Sequence, residues 1–184
     1  MRTTPAPSKT NGAGMHAGAA ASLPARLDDL IDLDPRRLEA LYAAASVPSL
    51  AELSGDLRGR MLAWPAVGGA PGAVMRAMAK SDRFPWRGKT FRHESDTRGD
   101  GDNRVFADRL HLFRFTTSIG PSRGGNFDAV HLDYDHPGNP FFIRAIHDEL
   151  RRLRDGLYLG QAYLIRPGTP RLLLYFGLER RTVS

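Results

Sequence analysis

The chain has no cysteine among its 184 residues. That excludes a disulfide framework, a thiolate metal site and a cysteine nucleophile. Lysine is scarce: only Lys9, Lys80 and Lys89 are lysines among the 26 basic residues. No run of eighteen apolar residues occurs, so no membrane-spanning helix is expected. Between residues 13 and 25 only Met15 and Leu23 are larger apolar groups in an Ala/Gly-rich stretch. The apolar heart of a signal peptide is therefore missing, and a cytoplasmic location is expected. Gly-x-Ser-x-Gly, a Walker-type loop, a Rossmann fingerprint and His-Glu-x-x-His are all absent. Gly99-Asp100-Gly101-Asp102-Asn103 lacks the closing glutamate of a calcium loop and reads as a turn. No cofactor is implied.

The formal net charge is +6. A basic chain invites a nucleic-acid reading, but the arginines are dispersed among acids rather than clustered with aromatics. Arg36 and Arg37 follow Asp32 and Asp34, and Arg104 and Arg109 flank Asp108. The densest run, Arg151-Arg152-Leu153-Arg154, falls at the end of an expected helix, where cations complement the dipole. No nucleic-acid partner is expected.

Residues 1–22 lack periodicity and are rich in Ala, Gly, Ser, Thr and Pro, the composition of a disordered tail. Residues 23–184 are expected to form one domain that begins with helices. Asp34-Pro35 is a helix start, with Leu38, Leu41 and Tyr42 forming an apolar stripe to about Ala45. Expected strands are Leu57–Trp64, Trp86–His93, Arg104–Thr117, Phe127–Asp135, Leu157–Ile165 and Arg171–Glu179. Ala73–Ser81 reads as a short helix and Arg98–Asn103 as a flexible turn. A helix is expected from about Pro140 to Arg154, stopped by Gly156. About six strands without regular strand–helix alternation indicate an α+β chain built on an antiparallel barrel, with one helix packed on it.

The string Trp86-Arg87-Gly88-Lys89-Thr90-Phe91 resembles bacterial proteins of the GXWXG type and the domain that accompanies them. Phe84 stands where that string has its first glycine. Gly156-Leu157-Tyr158-Leu159-Gly160 and Leu174-Tyr175-Phe176-Gly177-Leu178-Glu179-Arg180 are similar to the end of the companion domain. The resemblance covers roughly residues 57–180. It implies a small lipocalin-like, or calycin-like, barrel and no established reaction.

Glu149 is the most informative acid. On a helical wheel it lies within about 20° of Phe142, on the face that carries Ile146, Leu150 and Leu153. A carboxylate there must be paired, hydrogen-bonded or shifted in pKa. It is either a structural ion-pair partner or a ligand-contacting acid/base group. Asp148 falls on the opposite face and reads as a solvated surface acid. On the strand 127–135, His131 and Asp133 alternate with Val130, Leu132 and Tyr134. The polar set is solvent-facing if the apolar set faces the core, and a site otherwise. His131, Asp133 and His136 match no recognised metal-ligand spacing, so no metal is expected.

Arg109 and His111 share a strand face with Phe113 and Phe115, which suits a pocket with a few orienting polar groups. Lys89 and Arg87 alternate with Trp86 and Gly88. Trp86 could stack on Arg180 across one barrel end. Tyr158 and Tyr175 join the ligand-lining candidates on the last two strands. The pattern suits a barrel binding an apolar or amphipathic small molecule. The alternative is a cyclase or isomerase acting on a polyketide- or isoprenoid-like substrate through shape and one acid or base, with Glu149, Lys89 and His131 as candidates.

Overall fold

The computed structural model describes residues 23–65, 77, 81, 84–106 and 108–180. The tail expected at 1–22 and most of the helix expected at Ala73–Ser81 lie outside the described residues.

The chain enters through a 3-10 turn at Leu27–Leu30 and helix α1, Pro35–Ala44. The Asp34 carboxylate caps α1 by accepting the Arg37 N–H, and Pro35 begins it. Eight strands follow: β1 Gly55–Ala63, β2 Trp86–Ser95, β3 Arg98–Val105, β4 Leu110–Pro121, β5 Asp128–Asp133, β6 Ile146–Arg154, β7 Leu157–Leu164 and β8 Arg171–Arg180. Each pairs antiparallel with the next, and β8 returns to β1, so the barrel is closed. Closure leaves no sheet edge unpaired. A one-turn helix, α2, Phe141–Arg144, precedes β6.

Three expectations are corrected. The single strand expected over Arg104–Thr117 is broken: β3 ends at Val105 and β4 begins at Leu110, with Phe106 at φ +51° and Asp108 at φ +66° between them. Residues 98–103 are not a turn but most of β3. Gly99, Gly101 and Asn103 face inward with period two, while Asp100 and Asp102 face outward and pair with Arg92. Gly101 is glycine because a Cβ there would collide with the Phe115 ring. Residues 146–154 are not a helix but β6, hydrogen-bonded to β5 and β7. Asp155-Gly156, with Gly156 at φ +74°, is the two-residue turn of the β6–β7 hairpin rather than a helix stop. A two-residue Asp-Gly connection is a hairpin signal in its own right.

Apolar side chains pack in two places. Inside the barrel lie Leu57, Phe115, Leu132, Leu150, Phe176 and Leu178 among others. Outside it, Leu38, Leu41 and Tyr42 of α1 and Leu27 and Leu30 of the 3-10 turn cover Leu62, Leu157, Leu159 and Tyr175. Helix α1 therefore covers one outer wall and stays out of the lumen. Among the described residues, no helix is long and apolar enough to cross a membrane.

Candidate functional site

The lumen contains a cavity of about 500 Å³, within the usual size range of small-molecule pockets. Its walls are mostly apolar: Met61, Phe84, Val105, Phe113, Ile143, Ile146, Leu174 and Phe176. Its rim includes the exposed side chains of Phe106 and Leu112. Four polar-tipped residues, Trp86, Lys89, Asn103 and Tyr134, line it together with Asp148.

Trp86 and Lys89 share the lumen although simple alternation would put them on opposite faces. The pairing of β2 with β3 slips between Trp86 and Gly88. Gly88 has φ +134°, and a Cβ there would collide with the Leu57 carbonyl oxygen. This bulge, which glycine alone tolerates without strain, gives the Trp-x-Gly-Lys string its local reason. The indole packs edge-on against Phe176, with ring centres 5.9 Å apart. Arg180 instead donates to the Glu52 carbonyl at the chain's outer surface, so it does not stack on Trp86.

Lys89 is buried, and its ammonium lies 3.0 Å from Asp148 Oδ2. It also donates to Asn103 Oδ1 at 2.9 Å and to the Tyr134 hydroxyl. The rings of Trp86, Phe115, Tyr134 and Phe176 surround it at 5.1–5.6 Å, a cation–π cage. Burial pushes the Lys89 ammonium below its ordinary pKa, and Asp148 opposes that shift. The Tyr134 O–H donates to Asp148 Oδ2 at 2.9 Å. Burial, and then the Asp148 charge, hold the tyrosine well above its ordinary pKa, so it remains a donor. Asn103 Oδ1 also accepts the Trp86 indole N–H at 2.8 Å.

Asp148 is thus the acid of the lumen, not a solvated surface group. Strand alternation in β6 turns Ile146, Asp148 and Leu150 inward and His147, Glu149 and Arg151 outward. Glu149 is wholly buried, but between the barrel wall, α1 and the 122–124 turn. It accepts from Ser122 Oγ at 2.5 Å, from the Arg123 backbone N–H at 3.0 Å and from Arg123 Nη1 at 2.8 Å. Burial alone would raise its pKa. The bonds from Ser122 and Arg123 outweigh that and lower it. Glu149 is thus an ion-paired, hydrogen-bonded carboxylate that lies outside the lumen.

His131 joins the same outer cluster. Its Nδ1 lies 2.8 Å from His147 Nε2 and 3.8 Å from Glu149 Oε1. Burial, Arg123 and His131 lower the His147 pKa to about 4. The ligand-type atoms of His131, His147 and Glu149 lie within 4.8 Å of one another, a span that a divalent cation could bridge. Arg123 already supplies the positive charge there.

Glu149→Gln is expected to cost about 1–3 kcal/mol. The amide presents N–H groups to donors that need an acceptor, and Arg123 loses its counter-charge. Urea unfolding of the variant beside the wild type measures this. Unchanged stability combined with altered ligand uptake would move Glu149 back among the site candidates.

Other candidates fall outside the cavity. Arg109 is exposed in the turn before β4. His111 is half exposed on the outer wall, with Nδ1 2.5 Å from Asp102 Oδ1. The face they were expected to share with Phe113 and Phe115 is broken by a register slip between β3 and β4 and by φ +60° at Phe113. Phe113 does line the cavity, and Phe115 lies beneath Lys89. Asp133 is exposed and accepts the Asp135 N–H, as the solvent-facing reading of that strand requires, while Tyr134 faces inward. Tyr158 is buried in the barrel but donates to the Glu52 carbonyl and does not line the cavity. Tyr175 packs under α1 and accepts from Gln161.

Arg151 and Arg152, expected at a helix end, are structural in β6. Arg151 donates to the Ala45 and Asp128 carbonyls and lies over the Phe127 ring. Arg152 pairs with Glu52 at 2.9 Å. A second hollow of about 600 Å³, lined by Glu94, Arg98, Asp100, Arg114 and His136, is polar, and its Asp100 is paired with Arg92 and Arg114.

The fold and cavity define an eight-stranded antiparallel barrel of a kind compatible with small-molecule binding. No protein-family model matches the chain, and no curated protein matches it. A crystal structure of a protein from Thermomonospora curvata is 20% identical; the match covers 82% of this chain and 89% of that one, with a TM-score of 0.46.

Proposed function

We propose that the barrel binds an apolar or amphipathic small molecule in the lumen, as a lipocalin-like module. The observation that carries this reading is the apolar cavity with its polar groups gathered at Lys89, Asn103, Tyr134 and Asp148. An apolar wall with a few fixed polar groups is the usual make-up of a small-molecule site. The ring cage and the bulge at Gly88 hold those groups in place before any ligand arrives, which limits the ordering cost of binding.

Native mass spectrometry against fatty acids, long-chain alcohols, isoprenoids, polyketides and haem tests the proposal. A retained one-to-one species is expected, and Ala162→Phe, which fills part of the lumen wall, should abolish it. No retained species from any of these classes would overturn the reading.

The second reading, a cyclase or isomerase on the same scaffold, is favoured by one observation. Asp148, a carboxylate paired with Lys89, is among the few polar residues of the mostly apolar cavity wall. A carboxylate so placed is a candidate general base. Lys89 remains a candidate beside it, whereas Glu149 and His131 are outside the lumen.

A further inference from the structure

Of the eight exposed large apolar side chains among the described residues, six stand at one end of the barrel: Phe106, Leu110, Leu112, Phe141, Phe142 and Ile165. They occupy the start of β4 and the β3–β4, β5–β6 and β7–β8 connections, the end at which the cavity opens past Phe106 and Leu112. Phe141 is 83% exposed, Phe106 58% and Phe142 57%. The Ile165 N–H donates to the Ala145 carbonyl, which sets the β7–β8 connection beside α2. Single exposed apolar groups are ordinary, whereas a gathering of them marks an interaction surface. Arg109, Arg166 and Arg171 are exposed at the same end. Two of its acids are already taken: Asp108 pairs with Arg104 at 3.3 Å and Asp135 with Arg144 at 2.6 Å, and Asp133 remains. The opposite end has cations too, Arg98 and Arg154. They stand with the exposed acids Glu94, Asp96 and Asp155, and the turns there carry no exposed large apolar side chain.

We propose that this end of the barrel docks on an anionic bilayer surface. The phenylalanines and leucines enter the headgroup boundary, and Arg109, Arg166 and Arg171 meet lipid phosphates. The proposal goes beyond the ligand-binding reading and does not depend on it. Aromatic and leucine side chains beside arginines are the composition of an interfacial surface. A guanidinium matches a phosphate with two parallel N–H bonds, and an anionic leaflet attracts each cation held near it. A second copy of the chain meets the face less well. Two-fold pairing would set the three arginines against their own equivalents, and like charges across an interface are costly. Docking stops at the surface, because the outer wall carries Arg92, Asp100 and Asp102 where a membrane-spanning barrel has an apolar band. The mouth of the cavity then faces the headgroup layer.

The test is co-sedimentation of the full chain with vesicles of phosphatidylcholine, alone or with about a third phosphatidylglycerol. At low salt the protein is expected to come down with the anionic vesicles, and molar salt should release most of it. Arg166→Gln/Arg171→Gln should weaken binding about thirtyfold, from roughly fivefold for each cation. Phe141→Ser/Phe142→Ser should weaken it by about tenfold or more, because two rings no longer leave water. All four side chains are exposed, so both variants should fold, and circular dichroism checks this. Ile119→Thr removes an exposed apolar group on β4 toward the opposite end and should change nothing. No binding to anionic vesicles, binding indifferent to salt and to the arginines, or an equal loss from Ile119→Thr would each overturn the proposal. A dimer in sedimentation velocity that the phenylalanine variant dissolves, without vesicle binding, would assign the face to a second copy instead. A retained lumen ligand without vesicle binding overturns the docking face alone.

Discussion

Lys89→Met is expected to destabilise the barrel by about 3–5 kcal/mol, the cost of stranding a buried charge by removing its partner. Asp148 is 4% exposed, and its Oδ2 faces the Lys89 ammonium. Without the cation, the carboxylate keeps only the Tyr134 O–H as a donor, and Asn103 Oδ1 loses one of its two donors. The four rings around the ammonium would then enclose a thioether, which suits their size but offers the carboxylate nothing. The double variant Lys89→Met/Asp148→Leu should recover most of the loss, because both desolvation costs disappear together. Urea midpoints of the wild type, both single variants and the double variant close the cycle. A double variant no more stable than Lys89→Met would show that the pair is not what the single substitution breaks.

Trp86→Ala has an expected cost of similar size, about 3–5 kcal/mol, for a different reason. The indole is 8% exposed, packs edge-on against Phe176, and donates its N–H to Asn103. Truncation removes a large ring from the barrel interior and merges its volume with the existing cavity. Trp86→Phe separates the two contributions, because it keeps most of the packing and loses the N–H. It should lie between the wild type and the alanine variant, at about 1–2 kcal/mol below wild type. Denaturant unfolding followed by far-ultraviolet circular dichroism is the suitable readout, since the mutation removes a tryptophan fluorophore. A near-wild-type midpoint for Trp86→Ala would contradict the buried position.

The candidate site was legible in the sequence only at certain residues. Trp86 and Lys89 stood out because the Trp-x-Gly-Lys string is unusual and lysine is rare in this chain. Their shared face was not legible, because alternation assigns them opposite sides until the bulge at Gly88 is known. Asn103 was hidden in a Gly/Asp-rich stretch that reads as a turn. Its signal was the period of two, with Gly99, Gly101 and Asn103 on one face and Asp100 and Asp102 on the other. Asp148 and Glu149 exchanged roles because of an error in period. Phe142, Ile146, Leu150 and Leu153 satisfy a helical stripe, while Ile146, Asp148 and Leu150 equally satisfy a strand face. One assignment buries Glu149 on the apolar face, and the other sends Asp148 into the lumen.

The sequence by itself determined what depends on neighbouring residues. Asp34-Pro35 starts a helix because capping and the fixed proline φ act within one turn. The absence of cysteine leaves the barrel to be held by packing and hydrogen bonds. Strand-forming runs with turns between them, and no βαβ alternation, point to antiparallel pairing. Tertiary structure decided what depends on partners distant in the chain. Residues 146–154 carry many good helix formers, yet they pair with β5 and β7 on both sides, and those ladder bonds and the burial of Leu150 override local propensity. The same pairing fixes which of two adjacent carboxylates enters the lumen. A strand's faces differ by one residue, and only its hydrogen-bonded neighbours set which face is inside.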